Sequence, residues 1–293
     1  METTYSCEID VDSIIRSARK HLKGCVQKLF YKYKELGDQE LLYHYTDIEA
    51  LLNGIIVSNP KPEEEICLRA TRWTHLNDKE EIESGLKLIG GGSTEQLKSV
   101  SDSLREYHGS SCSLSFCRSK DSLPMWGMYG KNGAGVMLAF DTRLLRSMFG
   151  FHLLPCIYEG SDYDNEVVNM LSALDLGDGF NSLDTSGQLY ISFILSAVFV
   201  SLRKNAAFTF EDEVRIIGLG NHHFGLPKTT QYRISRGVIT PYVNVFLPKS
   251  ALKEVWIGPT NDIKLAQEST EEFLQSRGFY DVKVKISQVP YRG

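Results

Sequence analysis

"FTFEDEVRII", residues 208–217, is the stretch where the chain turns to extended patterning, and the arrangement of everything around it depends on how it is read. Side chains alternate along a strand, so Glu211, Glu213 and Arg215 are expected to share one face while Val214 and Ile216 point into a core. Two carboxylates about 7 Å apart on one face repel, and the repulsion raises one pKa. A purely structural strand has little reason to carry that cost. The plain alternative is a solvated sheet edge on which Glu and Arg pair across strands. A glutamate pair of this kind also suits cleavage of a glycosidic bond. There one carboxylate steadies the positive charge developing on the sugar, and the other group handles protons or orients the nucleophile.

Downstream of this stretch the pattern predicts strands at 213–219, 229–235, 238–246 and 254–258, an amphipathic helix over 262–277 and a last strand at 281–288. Upstream lies "LYISFILSAVFVSL", residues 189–202, shorter than the ~20 residues that span a bilayer; it reads as a buried helix over 187–203. A helix is expected at 162–174 and strands at 112–117, 135–141 and 151–158, with the helical turn "DSLPMWGMYG" between the first two. "LLYHYT" (41–46) reads as a strand, "DIEALLNG" as a short helix capped by Asp47, and 55–58 and 64–72 as further strands. Two polar helices on either side of "GGGS" (90–93) form a helical insertion over about 78–109. The apolar spacing of 10–37 predicts an amphipathic helix, so residues 1–40 read as a helical segment ahead of one domain, 41–293. Strands interrupted by helices without regular β-α alternation predict an α+β fold with a mixed or antiparallel split sheet flanked by helices.

Composition narrows the function classes. Over 293 residues the formal net charge is -5 and the pI about 5.9, which argues against bulk electrostatic capture of nucleic acid or of an anionic membrane. Six scattered cysteines form no zinc-like pair, so no metal site is expected. The first 20 residues contain no apolar run of signal-peptide length, and the expected location is cytoplasmic. Neither GxGxxG nor a P-loop is present, and there is no GxSxG elbow.

Several stretches carry candidate binding groups. "YHYT" puts His44 and Thr46 on one face and Tyr43 and Tyr45 on the other, offering hydrogen-bonding groups and stacking surfaces for a ribose or base; a strand histidine is equally a structural element. "LPMWGMYG" concentrates Trp126 and Tyr129 between glycines, suited either to stacking on an aromatic ligand or to core packing. Ser113 and Ser115 alternate on "CSLSFC". Arg69 and Arg72 sit on "CLRATR", where either can hold a phosphate.

Taken in order, "LLYHYTDIEALLNGIIVSN", "RATRWTHLNDKEEIE", "SLSFCRSKDSLPMWGMYGKNGAGVMLAFD", "KNAAFTFEDEVRII" and "EVWIGP" resemble the bacterial domain of unknown function 2971 family, over roughly residues 41–260. That family is distantly similar to the ADP-ribosyltransferase superfamily, whose members cleave the nicotinamide–ribose bond of NAD. The resemblance implies an ADP-ribosyltransferase-like fold and NAD as substrate, with no metal. It assigns His44 to grip NAD, Ser113 and Ser115 or Tyr129 to the middle strand's role, Glu213 to catalysis and Glu211 to orienting acceptor or water. Tyr45, Thr46, Arg72, Trp126 and Arg215 complete the expected binding set. The implied setting is bacterial defence or toxin activity, with a protein or nucleic-acid acceptor left open. Two other readings stand beside it: a non-catalytic nucleotide-binding or protein-interaction module, and an enzyme processing RNA or nucleotides.

Overall fold

The computed structural model describes residues 39–58, 60–61, 63–76, 84–86, 111–173, 188, 196–218, 229–235, 237–259 and 262–290. The helix expected over 10–37 lies outside the described residues, as does the insertion over 78–109 apart from a helical turn at 84–86.

The fold is α+β with an open, mixed sheet. Its strands are β1 (Leu41–Thr46), β2 (Ile66–Arg72), β3 (Cys112–Cys117), β4 (Val136–Asp141), β5 (Leu153–Pro155), β8 (Glu213–Gly218), β9 (Gln231–Ser235), β10 (Val238–Leu247), β11 (Leu252–Ile257) and β12 (Lys283–Ile286). The main path runs β12-β11-β4-β1-β3-β2-β10-β9, with β8 paired to β3 and β5 paired to β8. All pairings are antiparallel except β11 with β12. Two short parallel strands, β6 (Ile157–Tyr158) and β7 (Arg203–Lys204), pair separately.

The site is positioned by a fork at β3. One edge of β3 pairs with β8 along its whole length, from Cys112↔Gly218 to Cys117↔Glu213. The other edge is divided: Cys112 and Ser113 pair with β2, whereas Cys117 pairs with Tyr43 of β1. Between those two registers β1 and β2 splay apart, and the middle of β3 faces the opening.

One sheet face is sealed by a single apolar layer that includes Leu42, Leu68, Leu114, Phe140, Val214, Ile216, Val245 and Val255. It is covered by Leu145 and Phe149 of α2 (Thr142–Phe149) and, beyond α3 (Asp162–Ala173) in the chain, by Leu274 of α4 (Ile263–Ser276). On the other face a smaller cluster joins Tyr43, Tyr45, Met137 and Trp256 to Met125 and Trp126 of α1 (Leu123–Met128). Gly135, at the entry to β4, makes the join between these parts close: a Cβ there would stand 2.3 Å from the Thr46 carbonyl oxygen.

Several sequence expectations change. The strand expected at 55–58 is one bridge, Ile56↔Ile66, because Leu51–Ile55 continues the preceding short helix as a π-turn. The strand expected over 151–158 divides into a 3-10 turn, β5 and β6. Helix α2 was not anticipated, although Asp141 caps it by accepting from Leu144 N at 3.0 Å. No helix among the described residues is long and apolar enough to cross a membrane.

Candidate functional site

At the fork a cavity of about 650 Å³ opens, lined by residues as distant in sequence as His44, Ser115, Tyr129, Lys204, Glu211 and Glu213. That size lies within the range of small-molecule sites.

Glu211 is not on the strand. It ends a 3-10 turn, Ala206–Glu211, which is capped where Asn205 accepts from Ala207 N at 2.9 Å. Asp212 then takes left-handed backbone angles, φ 41° and ψ 54°, before β8 begins at Glu213. The extended alternation expected through 211–215 therefore fails at its first member. The kink aims Glu211 and Glu213 at a common partner, the Lys204 ammonium: its Nζ donates to Glu211 Oε2, and to Glu213 Oε2 at 2.5 Å. Arg215, two residues along β8, forks onto the other glutamate, Nε donating to Glu213 Oε1 at 2.8 Å and Nη2 to Oε2 at 3.0 Å. Its Nη1 donates to the Ser201 carbonyl at 2.8 Å. Tyr129 Oη donates to Glu211 Oε1 at 2.7 Å, and Glu213 N donates to Tyr158 Oη at 2.8 Å.

All four charged groups are 5% exposed or less, so the solvated-edge reading of this strand does not hold. Buried and equal in number, two cations and two carboxylates satisfy each other. The two carboxyls are nevertheless unlike. Burial alone would raise Glu213, but Arg215 and Lys204 outweigh it and hold its pKa far below the usual carboxylate range. Burial raises Glu211, Lys204 draws it back, and the charge of Glu213 pushes it up again, so its pKa ends above the ordinary value. Paired carboxyls shifted in opposite directions suit division of labour, one remaining ionised while the other exchanges protons.

Because left-handed backbone costs a side-chain-bearing residue about 1–2 kcal/mol and Asp and Asn tolerate it best, Asp212→Val should lower stability by about that much in urea denaturation. Asp212→Asn should lose less, since it gives up only the half-exposed ion pair with Arg118. Equal losses in the two variants would remove backbone strain from the account.

His44 stands on the opposite side of the fork. Its Nδ1 lies 2.9 Å from the Ser115 carbonyl oxygen, in the middle of the β3 edge that neither β1 nor β2 covers. A carbonyl only accepts, so Nδ1 carries the hydrogen and Nε2 is left as an acceptor. Burial lowers the His44 pKa, the Ser115 carbonyl offsets part of that, and the charge of Arg233 lowers it further; the ring is neutral at pH 7.

The structure thus brings His44, Thr46, Ser115, Tyr129, Glu211, Glu213 and Arg215 to the lining of one cavity. Tyr45 also borders the cavity, but its hydroxyl donates to Ser119 O at 3.4 Å and accepts from Ser122 N at 2.9 Å. Trp126 does not reach the cavity: it is fully buried, edge-on to Tyr45 at 4.9 Å, with Nε1 donating to Asp121 Oδ1 at 2.8 Å. Tyr129, which caps the C-terminus of this helix, is the aromatic residue of the segment that lines the cavity. Arg72 is likewise placed elsewhere, on the opposite face of β2 from Arg69 and Thr71, donating through Nη2 to Thr230 Oγ1 at 3.2 Å. Arg69 is the β2 arginine at the cavity. Lys204 and Arg233 carried no weight in the sequence reading, although Lys204 opens the motif "KNAAFTFEDEVRII".

Fold and site together define an α+β protein with a buried, charge-compensated glutamate pair at a forked sheet. Residues 125–216 match a family model described as "Protein of unknown function (DUF2971)", and the match supports placing the chain in that family. The matched segment contains Tyr129, Lys204, Glu211, Glu213 and Arg215, while His44, Arg69 and Ser115 lie before it. No curated protein and no solved structure matches the chain.

Proposed function

We propose that the protein cleaves the nicotinamide–ribose bond of NAD, as a glycohydrolase or an ADP-ribosyltransferase, on an ADP-ribosyltransferase-like fold. The observation that carries this reading is that a histidine with a bare Nε2 and two oppositely shifted glutamates share one cavity, although about 170 residues separate them in sequence. In the reaction the bond between ribose C1′ and the pyridinium nitrogen breaks, and its electron pair neutralises the nicotinamide ring. The cationic ribose that remains is stabilised by ionised Glu213 and is attacked at C1′ by water or an acceptor hydroxyl, whose proton passes to Glu211. His44 Nε2 accepts from a ribose hydroxyl, and Tyr129 holds Glu211 in place and offers its ring to nicotinamide.

The test is release of nicotinamide from NAD by the purified chain, with the fate of the ADP-ribose followed by mass spectrometry. Nicotinamide together with free ADP-ribose or a modified acceptor is expected; no release with or without added protein and nucleic acid would sink the reading. One observation favours a second reading, a module that holds a nucleotide without turning it over: both oxygens of Glu213 are already bound by Arg215 and Lys204. Calorimetric binding of NAD without nicotinamide release would select it.

A further inference from the structure

The charged cluster has a cover. Lys204 and Glu211 border the cavity yet are 5% exposed or less, although Asn205, Ala206 and Ala207 between them all face solvent. The side chain set over them is Phe208.

Its place follows from the turn. A 3-10 helix has three residues per turn, so side chains three apart eclipse, and in Ala206–Glu211 this stacks Phe208 directly over Glu211. Both face Lys204, whose Nζ lies 5.1 Å from the centroid of the Phe208 ring. An ammonium has three N–H donors. Two of those on Lys204 go to Glu211 Oε2 and Glu213 Oε2, and among the described residues no third acceptor is hydrogen-bonded to it. The negative face of the aromatic ring takes that side, where a water would otherwise stand. Phe210, its ring centroid 6.4 Å from that of Phe208, packs against the cluster of Tyr43, Tyr45 and Trp126 and anchors the turn. Phe208 itself is half-buried and lines the cavity, so part of its ring meets whatever enters while the rest covers the ion pairs.

We propose that Phe208 is a positioning residue for the glutamate pair, its ring shielding the contact between Lys204 and Glu211 from water. The charged and titratable groups around this contact all lie off the phenylalanine: Lys204 on β7, Glu213 and Arg215 on β8, Tyr129 at the end of α1, Cys117 on β3 and Cys156 before β6. Truncating Phe208 therefore removes cover and leaves the charges in place. Burial is the largest influence on the Glu211 carboxyl and raises it, ahead of the opposing pull of Lys204. Admitted water relieves the first and weakens the second, so the net movement is downward. The proposal rests on the NAD reading only for its kinetic consequence, because the titration of the carboxyl needs no substrate.

The experiment is carbon-13 NMR of the glutamate carboxyls of the full chain against pH, with the Glu211 signal assigned by its absence in Glu211→Gln. In Phe208→Ala its midpoint is expected to fall by roughly one pH unit. Phe208→Val keeps part of the cover, serves should the alanine variant fail to fold, and should lower the midpoint by less. Phe208→Tyr keeps the ring and should match the wild type. A midpoint unmoved or raised in the truncated variants, or a fall in Phe208→Tyr as large as theirs, would overturn the proposal. Where nicotinamide is released, the pH limb of kcat/KM should move down with the midpoint. A midpoint that falls on truncation in a protein that releases no nicotinamide would uphold the role of Phe208 and remove NAD cleavage.

Discussion

Glu213→Gln is expected to lower the folding stability by about 3–5 kcal/mol, because it removes the carboxylate that two buried cations share. Glutamine keeps the shape but leaves Lys204 and Arg215 with only Glu211 to balance them, and its amide presents a donor where the cations need an acceptor. The direction of the pKa shift fixes the sign. A carboxyl held below its unfolded value contributes stability that is complete above the ordinary glutamate pKa of 4.5 and is lost as pH falls below it. The wild type should therefore lose this contribution on acidification, and the variant should show a shallower acid limb in its stability profile. Urea denaturation at pH 7 and at pH 4 measures both. Adding Lys204→Met to the variant removes the stranded ammonium and should recover 1 kcal/mol or more, roughly the coupling expected between contacting charges. A loss under about 1 kcal/mol in the single variant would mean that the ion pairs are solvated in solution. Loss of nicotinamide release in Glu213→Gln alone is thus weak evidence for catalysis, since a partly unfolded protein loses activity too.

The network also shows where the sequence was readable. β1, β3, β4, β10 and α4 announce themselves through alternation or a 3.6-residue apolar spacing that survives into the fold, since each buries one face against the same apolar layer. Glu211 did not, because a single left-handed residue at Asp212 breaks the period of two, and Asp at that position is compatible with strand or turn from sequence alone. Lys204 was hidden for the same reason: nothing local says that a 3-10 turn will bring position 204 back over position 213. At Trp126 composition allowed ligand stacking or core, and Asp121, at φ 53°, decided for the core by offering the indole N–H a half-buried acceptor. Choosing between Arg69 and Arg72 required the phase of β2, which "CLRATR" leaves open because arginines three apart fall on opposite faces.

Glu211→Gln should behave in the opposite way: close to wild type in stability, but reduced about 10²–10⁴-fold in nicotinamide release. Its environment already disfavours the charge, so replacing the carboxylate by a neutral amide gives up little; the stability tied to this group is present at low pH and lost as pH rises through its elevated pKa. Activity runs the other way, because a base that receives the acceptor's proton must first be ionised. The wild-type kcat/KM for NAD is therefore expected to rise with pH through a limb above the usual glutamate range, and Glu211→Gln is expected to lose that limb along with the rate. Tyr129→Phe, which removes the hydrogen bond donated to Glu211 Oε1 and with it a partner that stabilises the ionised carboxylate, should shift the limb upward without abolishing turnover. A limb that persists unchanged in Glu211→Gln would transfer the proton to another group, with His44 Nε2 the nearest alternative by chemistry. A variant as unstable as Glu213→Gln would instead show that both glutamates serve the fold and that their unequal shifts do not divide their labour.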